Sequence, residues 1–254
     1  MMVWFRKKHL IYIVILLIIT WYSMEVTHFQ WWIFPHMSNV LSFIETRFFP
    51  PDLSILPLLL RETIVTLGIA FLGTILALIV AIPLSFAAAS NTSRHSFIYY
   101  MSRFSLSGLR SVPEIVFGLI FVVAIGLGPF AAVLAILLHN IGVLGKLISE
   151  LIEAADRGPQ EAMKSVGATS RVGNIFAVIP QIWPNILSHY FYRFEVAIRT
   201  SLVLGFVGGG GLGQQIFNQY QSFYYDGMAM SIIVIMVLVI IVDMFGSFVR
   251  KRVI

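Results

Sequence analysis

The sequence predicts an all-α integral membrane protein, with six transmembrane helices in a single membrane domain covering 1–254. Three observations carry that expectation. Of the 254 residues, 58% are hydrophobic and only 11% charged, whereas soluble domains carry about a quarter charged residues; the mean hydropathy is +0.89. Charge-free runs recur that exceed the ~20 residues a helix needs to cross a bilayer. Arg and Lys also fall almost wholly on one side of the spans so laid out. Arg6, Lys7, Lys8, Arg94, Arg103, Lys146, Arg157, Lys164, Arg171, Arg250, Lys251 and Arg252 share one side, against Arg47 and Arg61 on the other. Positive residues accumulate in cytoplasmic loops, so both termini are placed inside. Orientation also accounts for the net charge of +5; lipid is the expected partner and nucleic acid is not. With no cysteine, a disulfide framework, a thiolate nucleophile and a Cys-based zinc site are excluded, and no cofactor or metal is expected.

Taken in order, Arg6, Lys7 and Lys8 precede an uncharged run from Leu10 to Met24. Trp21, Tyr22 and Met24 stand where a signal peptide would place small residues for cleavage, so the run reads as an uncleaved first span over about 10–28. Residues 29–57 mix Trp31 and Trp32 with Pro35, Pro50, Pro51 and Pro57. The tryptophans suit the outer interface and the prolines oppose a continuous span, leaving an extracytoplasmic segment with room for a surface-lying helix. Arg61 and Glu62 introduce the second span, and no charge follows from Thr63 to Ser93. Gly68 and Gly73 permit close helix approach there, and Pro83 is placed to kink the inner end.

A third span begins near Phe104 and contains Arg110 and Glu114. Gly126-Leu127-Gly128-Pro129 punctuates the long apolar run that comes next and splits it into a hairpin. The fourth span covers about Phe130–Ile148 and delivers the chain to a cytoplasmic stretch from Lys146 to Arg171. The fifth rises from about Ile175 through Pro180 and Pro184 to Val207. Gly208–Gly213, GGGGLG, ends it; without the Lys-Ser or Lys-Thr of a phosphate-binding loop, and with no soluble strand before it, this run reads as a membrane turn or re-entrant segment. Gln214 and Gln215 open a polar, aromatic loop reaching Asp226, and the last span runs from Met228 to Val249.

Ionisable residues inside spans cost about 2.5 to 3.5 kcal/mol on insertion scales and face a bundle interior or a water-filled path. Arg110 and Glu114 are four apart, as are Glu195 and Arg199, so each couple falls on one helix face and can pair internally. Two readings stay open: the couples neutralise one another or snorkel, or the surplus of Arg110, Arg193 and Arg199 over Glu114 and Glu195 lines a path for an anion. Asp243 reads as a packing or inner-end residue. His139 and Asn140, beside Gly142 and Gly145, could touch substrate, although an interhelical hydrogen bond is the commoner role.

The main polar island in the second half runs from Gly158 to Pro180, GPQEAMKSVGATSRVGNIFAVIP. Gly158-Pro159 makes a helix start with Glu161 in its first turn, where a carboxylate suits the dipole. Gly167 ends that helix, and Thr169 and Ser170 offer a cap for the next. So short a helix is marginal alone and must dock on something, with Ala162, Met163 and Val166 as the docking face. The spacing from Glu161 and Ala162 to Gly167 and on to Pro180 resembles the EAA loop of ABC importer permeases. Met163 replaces the usual third Ala, and Ala177-Val178-Ile179-Pro180 stands for Ile-x-Leu-Pro. Glu153-Ala154-Ala155 spells the triplet literally, but Pro159 falls where Gly should be. The resemblance implies a coupling helix within 158–171, carried by Glu161, Ala162, Met163, Val166 and Gly167, that sits in a cleft of a cytoplasmic ATPase.

Leu109–Glu153 and Phe191–Gly208 are further similar to permeases of phosphonate ABC importers, over a core region of 61–254; the first 60 residues carry little of the likeness. Such a resemblance implies a type I importer fold and a homodimer of permeases. It also implies two ATPase copies, an extracytoplasmic binding protein delivering phosphonate, phosphite or a related oxyanion, and a bacterial-type inner membrane. ATP binding would close the ATPases, move the coupling helix and open the pathway toward the binding protein. The chain is then a transport subunit with no catalytic residue of its own. Competing readings are a permease for methionine or another small polar solute, a non-ABC channel or secondary carrier, and an intramembrane enzyme. The last lacks a Gly-x-Ser-x-Gly elbow, a paired-His motif or an obvious Asp pair.

Overall fold

Apolar side chains on every face make helices that stay buried or lie in lipid, and the computed structural model contains such helices throughout. It describes residues 7–253; Arg6 lies outside them, as do the side chains of Lys7, Lys8, Arg171 and Arg250. The chain divides into Met1–Phe49 and Pro50–Ile254. In the first unit, α1 (Lys7–Val26) buries none of its apolar window. A 3-10 turn, Trp31–His36, leads into α2 (Met37–Phe48). There Met37, Val40, Leu41 and Ile44 repeat at helical spacing opposite Ser38, Asn39, Ser42 and Glu45. The segment read as having room for a helix between its prolines contains this one.

The second unit begins at Asp52, whose Oδ1 accepts the Ser54 N–H at 2.8 Å and caps a 3-10 turn, Leu53–Ile55. α3 (Leu56–Ala88) comes next, with Pro57 in its first turn, where no N–H is needed. It starts earlier than expected and takes Arg61 and Glu62 inside. Its 33 residues reach ~50 Å, well beyond a ~30 Å hydrocarbon core.

The expected third span is broken. α4 (Ser96–Ser111) and α5 (Glu114–Ile125) meet at 86° across Val112-Pro113. Proline lacks an N–H and drives the preceding residue out of the helical region; Val112 accordingly has ψ 123°. Arg110 and Glu114 therefore lie on different helices, which overturns the expectation that they share a face. The hairpin at 126–129 is where the sequence places it: Gly126 and Gly128 have φ 97° and 140°, values closed to most side chains.

α6 (Pro129–Ala154) is the central helix, packed on α3, α4, α5 and on α9. Small residues set its approach distances. A Cβ on Gly73 of α3 would stand 2.7 Å from Ile136, and one on Gly142 would stand 2.6 Å from the Arg110 backbone nitrogen. After α6 come α7 (Gly158–Ser165), α8 (Ser170–Gly173), a π turn Asn174–Val178 and α9 (Ile179–Gly205), which incorporates Pro180 and Pro184. The polar run expected to be a loop after Gly213 is instead mostly helical, α10 (Gly211–Gln221). It is held where buried Gln219 accepts the Ser231 hydroxyl at 2.7 Å on α11 (Tyr225–Val253). Among the described residues four helices are long and apolar enough to cross a membrane, and the bent α4–α5 pair makes a fifth candidate. α9 spans 27 residues, ~40 Å, but carries charge.

Two apolar cores occupy the second unit. One joins Ile69, Ile136, Ile198, Leu204 and Leu212; the other joins Leu106, Leu144, Ile148, Ile152 and Ile186. On α3, α6 and α9 alike, the residues falling between the two are polar: Thr74, His139 with Asn140, and Arg193.

Candidate functional site

That polar layer is built around the α4–α5 break. Breaking a helix frees backbone groups that must find partners, and His139 Nδ1 lies 3.0 Å from the Val112 carbonyl oxygen. Glu114 opens α5, where a carboxylate suits the helix N-terminus. Its Oε1 lies 3.1 Å from His139 Nε2 and 3.5 Å from an Arg193 Nη2. The same Nη2 donates to Asn140 Oδ1 at 2.5 Å, and Nε donates to it at 2.9 Å. Asn140 Nδ2 in turn donates to the Thr74 hydroxyl at 3.2 Å. Four helices are thereby cross-linked by one buried network, and the charge of Arg193, 9% exposed, is matched by Glu114.

A second group sits further along α9. Arg199 Nη2 donates to Glu195 Oε1, four residues back, and to Asp243 Oδ1 on α11, both at 2.8 Å. The sequence-derived pairing of Glu195 with Arg199 holds, and Asp243 is its third member. Arg110 is exposed at the end of α4 and has no ion pair or side-chain hydrogen bond among the described residues. The charge surplus read from the sequence shrinks accordingly, since Arg193 and Arg199 are both engaged by carboxylates.

The polar island folds as a separate module. α7 starts with Pro159 in its first turn and Glu161 beside it. Gly167, at φ 84°, donates to the Lys164 carbonyl at 3.0 Å and ends the helix; Ala168 donates back to Met163 at 3.0 Å. Ala162 is exposed, Met163 half-buried, and Val166 is 79% exposed. An apolar side chain held out at a helix exit suits a protein contact. Two amide bridges tie this module to the π turn and to α9. Gln160 Nε2 donates to Asn174 Oδ1 at 2.8 Å, and Gln181 Oε1 accepts the Asp156 N–H at 3.0 Å while its Nε2 donates to the Ala177 carbonyl at 2.7 Å. The π turn Asn174–Val178 lies between those bridges; such bulges recur at functional sites. Gln160, Asn174, Gln181 and Thr74 escaped the sequence reading, as nothing in their spacing distinguishes them from ordinary polar residues.

Comparison with known proteins identifies the arrangement. The family model described as "Binding-protein-dependent transport system inner membrane component" matches residues 81–254. The chain belongs to this family. It is an inner-membrane component of a binding-protein-dependent transport system, a transport subunit and not an enzyme. The phosphite transport system permease protein PtxC of Stutzerimonas stutzeri is 38% identical over 203 residues, covering 80% of this chain and 74% of that one. The phosphate-import permease protein PhnE of Mycolicibacterium smegmatis is 34% identical over 222 residues, 87% of this chain and 41% of that one. A solved structure of the MetNI methionine ABC transporter shares the fold, with a TM-score of 0.70 at 19% identity over 80% of this chain and 99% of its own.

Proposed function

We propose that this permease carries phosphite, a phosphonate or a related small oxyanion of phosphorus across the bacterial inner membrane. The observation that supports the reading best is the 38% identity to a phosphite permease over 80% of the chain. The likeness to the methionine transporter, at 19% identity, is one of fold. The whole chain serves as one permease domain of six spans, the α4–α5 pair and α9 each counting as one, with both termini in the cytoplasm. Two copies pair, and two ATPase subunits dock beneath them.

Within that assembly α7 is the coupling helix. Ala162, Met163 and Val166 face the ATPase, Glu161 and Gly167 fix the helix ends, and ATP-driven closure moves the segment and opens the pathway toward the binding protein. The polar layer of Glu114, His139, Asn140 and Arg193, with Arg110, Glu195 and Arg199 further along, lines the route of the anion. Among the layer's contacts, the Arg193–Glu114 one is the longest, 3.5 Å, and is the one an arriving oxyanion competes for. A purely structural role for the same pairs is the second reading, favoured by their being mutually satisfied.

The test is ATP-driven uptake in vesicles holding the permease, its ATPase and its binding protein, with phosphite, a phosphonate, phosphate and methionine offered in turn. Uptake of one of the phosphorus oxyanions and not of methionine is expected. Uptake of methionine alone would overturn the cargo assignment.

A further inference from the structure

The literal Glu-Ala-Ala triplet at 153–155 does not have the spacing of the coupling motif, yet Glu153 holds the most connected carboxylate on this side of the bundle. Its Oε1 accepts the Ser90 N–H at 2.7 Å and an Arg103 Nη1 donor at 2.9 Å. The neighbouring Ile152 carbonyl accepts from Asn91 Nδ2 at 2.8 Å. The end of α6 is thus bound both to the α3–α4 turn and to the side of α4. Arg103 is further held by the Tyr99 hydroxyl at 2.6 Å, one turn back on α4. Three residues beyond Glu153, Asp156 is bridged to Gln181 on α9.

We propose that the Arg103–Glu153 bridge is the strut through which movement of α7 reaches α4, making α4 a lever whose far end is the helix break. The geometry supports this at two points along α4. Midway, at Arg103, the helix is fixed to α6 by a charged contact with 24% exposure on each side chain. At its end the Val112 carbonyl meets His139, so a rotation of α4 acts directly on the polar layer. Between these points α4 rests on α6 through glycines: Gly145 against Leu106 and Gly142 against the Arg110 backbone. Small-residue contacts of this kind let the two helices approach closely, so that a movement of one is felt by the other. With Arg103 removed, the described contacts that still tie α6 to α4 and the turn before it are the apolar ones, the Ser90 and Asn91 bonds and the His139–Val112 contact.

This inference rests on the reading of α7 as the ATPase-docking segment, and the experiment separates the two. The chain has no cysteine, so Phe104→Cys on α4 and Met244→Cys on α11, 77% and 68% exposed, accept paired spin labels. The distance between them is measured in vesicles containing permease and ATPase, before and after ATP with vanadate. A shift of at least about 2 Å is expected in the otherwise native pair. It should be lost in Glu153→Gln and in Arg103→Gln, be no further reduced in the double variant, and survive in Arg103→Lys, all with the ATPase still bound and hydrolysing. Persistence of the shift in Glu153→Gln or Arg103→Gln overturns the strut, as does a native pair that does not move. The docking reading is judged by Val166→Asp: loss of the co-purifying ATPase supports it, whereas full retention removes it.

Discussion

At the scale of single residues, the polar layer is a case where removing one member costs more than the pair contributes. Taking away one partner of a buried ion pair typically destabilises by about 3 to 5 kcal/mol, because the other charge stays buried. Arg193→Ala takes the donor from buried Asn140 Oδ1, while Glu114, 24% exposed, keeps His139, so a smaller loss of about 1 to 3 kcal/mol is expected in detergent unfolding. A change under about 1 kcal/mol would mean that the site is open to water. At the start of the second unit, Asp52 accepts from Ser54 and from the Tyr224 hydroxyl, and its N–H donates to the Asp226 carbonyl at 3.2 Å. The side-chain and backbone hydrogen bonds of Ser54 hold its carboxyl below the ordinary value of 3.8. A depressed carboxyl adds stability that is present above the unfolded value and lost as pH falls through the folded one. The melting difference between wild type and Asp52→Asn should therefore be constant above about pH 5 and shrink as pH falls from 3.8 through the lower folded value; a difference that grows on acidification would contradict this. Of these residues, Glu195 and Arg199 were readable from spacing alone. For Arg110 and Glu114 the same spacing misleads, because Pro113 stands between them and breaks the helix.

At the scale of elements, two glycine turns meet inside the second unit: the Gly128 N–H donates to the Gly208 carbonyl at 2.8 Å. A Cβ on Gly208 would stand against Leu127, and one on Gly210 only 2.9 Å from Pro129, with φ of 93° and 79°. Gly210→Ala must bear a backbone conformation that costs of order 1 to 3 kcal/mol, so it should lower the melting temperature markedly. Gly68→Ala, which meets nothing within 4 Å, should not; equal effects would show that the docked turns are dispensable. The sequence announced both turns through clustered glycines, but not that they touch. α10 was hidden for a different reason. Its Gln214, Gln215, Asn218 and Gln219 resemble a loop in composition, and contacts distant in sequence, Gln219 with Ser231 and Leu212 with Thr66 and the core, hold the segment as a helix.

For the molecule as a whole, hydropathy and the Arg and Lys distribution were enough for the helical membrane class, because lipid leaves a spanning chain few alternatives to the helix. The polar contacts that tie the helices together were not legible, since they join residues distant in sequence, such as Arg103 with Glu153 and Asp156 with Gln181. In the function proposed above, the movement that drives transport enters at α7. The most direct measurement is therefore ATP-dependent phosphite uptake into vesicles holding the permease, ATPase and binding protein, comparing wild type with Glu161→Lys. Glu161 is exposed in the first turn of α7, so reversing its charge should leave the permease folded and its cores untouched. Uptake by wild type, reduced at least about tenfold (~1.4 kcal/mol) in the variant, is the expected result. Equal uptake by both proteins would contradict the assignment of α7 as the transmission element.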